Sequence, residues 1–231
     1  MTGNRLRTLA LVGTVAMLVL AGCSTGPVSD QTAKQVATQF QEEYESLEGL
    51  EANKTTTVVT DGERSTTVTH VKTDLDTGQS YTRTLEPATR AGDVSVVTGD
   101  VVWQFDASEN VASRTNVSTS SSMMPDFDRY IGDTLEHYDV AYRGTEFVDG
   151  REAYVVELTP EADADRAVAG ETTLWIDSEA YFPIKSRYEM DRGDTNTTVV
   201  TTYEDVTFDP DFAADAFSYE PPADATVERQ T

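Results

Sequence analysis

Cysteine is almost absent. The 231 residues hold one, Cys23, which excludes a disulfide within the chain and leaves a packed core to hold the fold. Histidine is nearly as scarce. His70 and His137 are the only two, and neither has a second histidine, a cysteine or a tight carboxylate set at ligand spacing, so a zinc centre is not expected. The longest apolar run, Leu9 to Leu20, falls short of the roughly 20 residues that a membrane-spanning helix needs. No nucleophile elbow, phosphate-binding loop or dinucleotide fingerprint is present. The pairs Asp126/Asp128 and Asp163/Asp165 lack the turn glycine and closing glutamate of a calcium loop. No catalytic residue, metal or cofactor is therefore expected, and the chain reads as a non-enzyme.

What the sequence has in excess is negative charge. All 41 acidic residues lie beyond Cys23, and two of the 17 basic ones precede it. Beyond that point 15 basic residues face 41 acidic ones, a formal charge of −26. A surface this acidic repels nucleic acid and anionic membranes. Lysine is confined to positions 34, 54, 72 and 185. Acidic excess, little lysine and abundant threonine resemble proteins of salt-loving archaea, where molar salt shortens the Debye length to about 3 Å. The plainer alternative is an ordinary acidic extracellular domain.

The N-terminus has Arg5 and Arg7, then the apolar run, then Leu20-Ala21-Gly22-Cys23. Basic head, short apolar stretch and small residues at the cut form a secretory signal. The segment resembles a lipoprotein signal peptide with its lipobox. That resemblance implies cleavage before Cys23, lipid on its thiol, and attachment to the outer face of the cell membrane. Residues 1–22 are then the signal peptide and 23–29 a lipid-anchored tether. A diacylglyceryl group would supply the two chains that stable anchoring requires. Secretion with a free thiol is the alternative.

Residues 30–231 read as a single domain, and about 200 residues suffice for one sizeable core. From Asp30 to Leu47 the residues Ala33, Val36, Phe40, Tyr44 and Leu47 recur at helical spacing. Beyond Asn53 the pattern changes to strand alternation, punctuated by the hairpin signals Asp61-Gly62 and Asp149-Gly150. Strands are expected at 55–60, 64–73, 80–86, 94–98, 101–106, 138–147, 152–158, around 174–176, and at 183–190 and 197–208. Ser113 to Ser122 reads as a loop. Pro125 to His137 reads as a second helix, with Phe127, Ile131 and Leu135 on one side. The expected class is α+β: a large curved antiparallel sheet, an open half-barrel, covered on its concave face by the two helices. Asn53, Asn116 and Asn196 each begin an N-glycosylation acceptor triplet.

The C-terminal half carries a recognisable series. It runs through Gly144-Thr145-Glu146-Phe147-Val148-Asp149-Gly150-Arg151-Glu152-Ala153-Tyr154, then Leu174-Trp175-Ile176-Asp177, then Tyr181-Phe182-Pro183-Ile184-Lys185, and ends in Phe217-Ser218-Tyr219-Glu220-Pro221-Pro222. Over about residues 138–225 this resembles the LolA and RseB group of lipoprotein-carrier-like proteins. The resemblance implies a curved antiparallel sheet enclosing an apolar cleft, and a non-catalytic protein that binds acyl chains or lipidated partners, or that senses envelope stress. Val36, Phe40, Trp103, Phe105, Phe127, Ile131 and Trp175 are the candidate cleft residues; the bland alternative is that each is simply core. Two functions stay open: an apolar-ligand binder, taking a lipid acyl chain or a lipidated peptide, and an interaction module with a filled core. The sequence leaves the oligomeric state open.

Overall fold

The computed structural model describes residues 36, 39–40, 42, 46–116, 138–161, 170–193 and 195–230. These residues form one open sheet of twelve strands. In chain order the strands are β1 (Gly49–Thr60), β2 (Glu63–Asp74), β3 (Gln79–Glu86), β4 (Val94–Thr98), β5 (Val101–Asp106), β6 (Val111–Asn116), β7 (Tyr138–Val148), β8 (Arg151–Pro160), β9 (Glu171–Asp177), β10 (Pro183–Arg192), β11 (Thr195–Phe208) and β12 (Thr226–Gln230). Their spatial order is β12-β6-β5-β4-β3-β2-β1-β11-β10-β9-β8-β7. Two antiparallel meanders, β1–β6 and β7–β11, thus meet along the β1–β11 ladder.

The hairpins follow the turn chemistry. Asp61 and Gly62 have φ of 51° and 87°, and Asp149 and Gly150 have φ of 49° and 76°. Two consecutive left-handed residues are what a two-residue hairpin with the right-handed strand twist demands, and Asp-Gly supplies them at little steric cost.

The α+β expectation is corrected. The described residues are 66% strand and 3% helix, and no pair of covering helices stands among them. In the first expected helix, only Val36, Gln39, Phe40 and Glu42 are described as helical; Pro125–His137 lies outside the described residues. Gly49, two residues past the expected helix, opens β1. Val111 to Asn116 is a strand, against the loop expected from Ser113 onward, and β12 falls where the sequence pattern predicts no element. Both are short and poor in large apolar residues, so hydrophobic periodicity gives no signal. Threonine and serine there are held by ladder bonds instead. The β12–β6 pair is parallel, the one departure from antiparallel pairing among these ladders.

The chain's own C-terminal segment, 209–225, passes over β5, where Tyr219 meets Trp103 and Phe105. It leaves β11 and returns across the sheet to reach β6. At its start, the Asp209 carboxylate accepts the Glu48 and Gly49 N–H groups at 2.8 and 3.2 Å, and the Asp209 N–H donates to the Gly49 carbonyl at 2.8 Å. At its end, the Asn110 side chain donates to the Asp224 carbonyl, and Thr226 N–H to the Asn110 carbonyl, each at 3.0 Å. Phe212 and Phe217 meet edge to face at 5.0 Å. Gly49 admits this approach, because a Cβ there would sit 2.7 Å from the Thr73 carbonyl oxygen and 3.1 Å from the Phe212 ring.

Candidate functional site

Side chains directly opposite in neighbouring strands share a face, so the ladders assign each strand residue to one of two faces. One carries Leu50, Ala52, Val71, Tyr203, Leu174, Ile176, Val156 and Leu158. The other carries Asn53, His70, Tyr81, Val96, Trp103, Phe105 and Trp175. We refer to them as the leucine face and the tryptophan face.

The largest buried side chains sit on different faces in the two halves of the sheet. Across β8–β11 the leucine face carries most of the large buried side chains, and Ala153, Val155, Trp175 and Asp177 are buried on the other face. Leu158, Leu174, Ile176 and Tyr203 are at most 2% exposed, in one cluster with Val36, Phe40, Leu47 and Leu50. Leu75, Tyr138, Val140, Tyr142, Tyr154 and Tyr181 surround this cluster, partly open. Tyr142, Tyr154 and Tyr181 form a line of rings with centroids 6.1 and 6.0 Å apart. Burial, with the neighbouring Tyr154 and Glu152 charges, holds the Tyr142 hydroxyl above the usual phenol range. Across β4–β6 the tryptophan face is the apolar one: Val96 and Ala112 are fully buried. Tyr219 of the crossing segment stacks on Trp103 and Phe105, with centroids 5.8 and 6.5 Å away. Among the described residues the buried Tyr219 hydroxyl has no hydrogen-bond partner, and desolvation raises its pKa, with a contribution from Tyr81.

The structure thus separates the candidate cleft residues. Val36, Phe40 and Trp175 belong to the large cluster. Trp103 and Phe105 lie beneath Tyr219 in the other half of the sheet. Phe127, Ile131 and Cys23 lie outside the described residues. Of the glycosylation candidates, Asn116 ends β6 and is exposed, its side-chain oxygen accepting Arg114 Nη1–H at 2.9 Å. Asn196, also exposed, is near the start of β11, and its backbone N–H donates to Asp61 at 3.0 Å. Asn53 stands inside β1, paired on both sides. Its amide donates to Asp205 at 3.1 Å and its oxygen faces His70 Nδ1 at 3.3 Å.

The motif series that spans β7–β10 is held together by its own contacts. Trp175 Nε1–H donates to Glu146 at 2.7 Å, and Lys185 Nζ sits 4.0 Å above the Trp175 ring. Arg151 Nε donates to Asp177 at 2.5 Å, and Asp177 also accepts the Glu179 and Ala180 N–H groups at 3.0 and 2.7 Å. Asp177 is 1% exposed. Burial pushes its carboxyl upward, but the Arg151 and backbone hydrogen bonds outweigh it and hold the pKa below the usual range.

His70, the described histidine, is engaged by Glu51 at 3.0 Å as well as by Asn53. Among the described residues, no three His, Cys, Asp or Glu side chains are grouped so as to hold a metal ion.

Sequence alternation did not reveal a polar recess on the leucine face of β2–β6 and β12. It encloses about 510 Å³, with Thr69, Thr82, Thr84, Ser95, Gln104 and Ser113 among its walls. The signal was present as the residues alternating with Trp103 and Phe105, but only the cross-strand register brings them into one place.

Two solved structures share this fold. Lipoprotein LppX of Mycobacterium tuberculosis superposes with a TM-score of 0.54 at 15% identity, covering 81% of this chain and 100% of that one. LprF of Mycobacterium bovis gives 0.53 at 14% identity, covering 83% and 100%. At these identities the likeness establishes the fold. By sequence, the chain belongs to the family whose model, described only as "Uncharacterized protein", matches residues 76–209. It is also 26% identical over 210 residues to the uncharacterized protein MJ0687 of Methanocaldococcus jannaschii. The match covers 90% of this chain and 56% of that protein, so the chain spans little more than half the length of its curated relative.

Proposed function

We propose that this is a lipid-anchored protein of the outer face of the cell membrane, held through Cys23, which binds an apolar ligand and makes or breaks no bond. The ligand is a lipid acyl chain or a lipidated peptide. The observation that carries the reading is the partly open rim of Tyr138, Val140, Tyr142, Tyr154 and Tyr181 against the buried cluster of β8–β11. A rim of half-covered aromatics lets an alkyl chain extend an existing core, at about 0.8 kcal/mol per CH₂ buried. The neighbour described as a lipoprotein, LppX, supports the anchor, as does the Leu-Ala-Gly-Cys sequence.

A second reading has its own observation. Every member of the central cluster is at most 9% exposed, as in a protein whose core is filled by its own side chains. Phe147, by contrast, is 75% exposed on the outermost strand β7. That favours an envelope sensor or interaction module that works through protein contacts.

Mass spectrometry of organic extracts separates the two. The Cys23→Ser variant of the full chain, purified in high salt from an archaeal host, removes the covalent lipid. Stoichiometric non-covalent lipid or acylated peptide supports the ligand reading. A folded protein with an empty extract overturns it in favour of the interaction module.

A further inference from the structure

We propose that the recess on the leucine face is a binding site for a neutral polyhydroxylated group, a sugar or polyol, either free or as the headgroup of an amphiphile. The proposal rests on a row of side chains that the register places directly opposite one another. Thr82 faces Ser95, Ser95 faces Gln104, Gln104 faces Ser113, and Ser113 faces Glu228. Five strands thus present five hydrogen-bonding side chains in line. At about 4.8 Å between strands, the row is about 19 Å long. Thr69 and Thr84 form a second directly opposed pair one step along the strands.

These groups are accessible and uncommitted. Thr82, Ser95 and Ser113 are half-buried and Gln104 is exposed, and among the described residues none of the four makes a side-chain hydrogen bond. Hydroxyls and a primary amide each donate and accept. A line of them matches a ligand that carries both functions at short intervals, as a sugar does.

The surrounding charge selects against an anion. Arg90 is the cation in the wall, and its Nε is already engaged by Asp93 at 3.1 Å. Asp106, Glu109 and Glu228 add negative charge. A phosphate would meet net repulsion, whereas sugar hydroxyls can donate to those carboxylates. Hydrogen bonds of this kind also persist where molar salt screens charge.

The same row continues in the other direction as Val71 and Ala52, both in the apolar cluster. A polar headgroup in the recess would therefore border the apolar half of this face. The inference does not require that second contact, since a free sugar satisfies the row alone.

The test uses the full-length protein in molar KCl. Methyl α-glucoside, methyl α-mannoside, methyl β-galactoside and linear trisaccharides are screened by saturation-transfer NMR. Phosphatidylcholine vesicles with and without a monoglycosyl diacylglycerol are screened by co-sedimentation of the Cys23→Ser variant. Binding of a free glycoside, or binding to glycosylated vesicles alone, supports the site and tells its two sources apart. The double substitution Thr82→Val with Ser95→Ala is expected to weaken that binding at least tenfold, with the melting temperature kept within a few degrees. Gln104→Leu, on an exposed side chain, serves as the second variant if the first fails to fold. The proposal is overturned if no glycoside and no glycosylated vesicle binds, if the folded variants bind as well as wild type, or if inorganic phosphate binds at the recess in preference. Loss of the apolar ligand from organic extracts would leave the free-glycoside result standing, so failure of the two readings is distinguishable.

Discussion

Replacing Asp177 by Asn tests whether the buried ion pair at the β9 turn holds the C-terminal meander together. The substitution keeps size and shape and removes one charge. Asn can still accept the Glu179 and Ala180 N–H groups through its oxygen, but its NH₂ then faces the Arg151 guanidinium, donor against donor. Breaking one partner of a buried pair costs about 3–5 kcal/mol. Arg151 is 32% exposed and can recover some hydration, so the lower end applies, about 3 kcal/mol. At about 2–4 °C per kcal/mol for a chain of this size, the melting temperature falls by about 6–12 °C. The pH dependence has a definite sign. The folded pKa of Asp177 is depressed, so its stabilisation is present above the ordinary aspartate value of about 3.9 and is lost as pH falls through the folded value. The gap between wild type and D177N therefore narrows below about pH 4. Thermal melts read by circular dichroism, at several pH values in 0.5 and 3 M KCl, measure both effects. Because Asp177 is buried, the deficit persists at high salt, unlike any contribution from the exposed Arg143–Glu157 pair. A deficit under about 1 kcal/mol, or one that disappears in 3 M KCl, would refute this account of the turn.

Phe217 is 7% exposed in the crossing segment. Phe217→Ala should cost about 3–5 kcal/mol and release the segment, read as faster amide exchange at Trp103 and Phe105; unchanged protection would show that the segment holds elsewhere. Peptide mass spectrometry of the protein from its native host should find glycan at Asn116 or Asn196 and none at Asn53, whose amide is bound to Asp205 inside β1; glycan on Asn53 would refute this. Cys23→Ser should move the protein from the membrane fraction to the medium, measured by fractionation; continued membrane retention would count against the lipid anchor. At −26, melting temperature should rise between 0.2 and 2 M KCl as like charges are screened; a flat or falling profile would contradict a salt-adapted surface.

Strand content was legible because it depends on local chemistry. Val94–Thr98 and Val101–Asp106 follow directly from alternation, and Asp61-Gly62 and Asp149-Gly150 from turn geometry. The edge strands were not legible. Val111–Asn116 holds two small apolar residues among polar ones, and its place in the sheet depends on pairing with β5 and β12. Nor does alternation reveal which side of one strand faces which side of another. Trp103 and Trp175 both sit inside short strands with no local mark of what covers them, yet one lies under Tyr219 and the other between Glu146 and Lys185. Choosing between those surroundings requires the register through the whole sheet, which no local window contains.

The motif series explains why resemblance was informative about fold and weaker for function. Its most distinctive residues contact one another: Glu146 with Trp175, Trp175 with Lys185, Arg151 with Asp177. Each pair ties two strands of the C-terminal meander, and Asp177 also closes the β9 turn. A series containing such pairs specifies the register of β7–β10, and it does so whatever occupies the sheet's faces. Ligand chemistry would be set instead by residues outside the series: the aromatic rim on one half of the leucine face and the hydroxyl row on the other. Those positions can change without disturbing a single ladder bond, because Val, Thr, Ser and Tyr all suit a half-buried strand. Proteins of this fold can then share a scaffold while differing in what they hold, and in this chain a polar row begins where the apolar cluster ends.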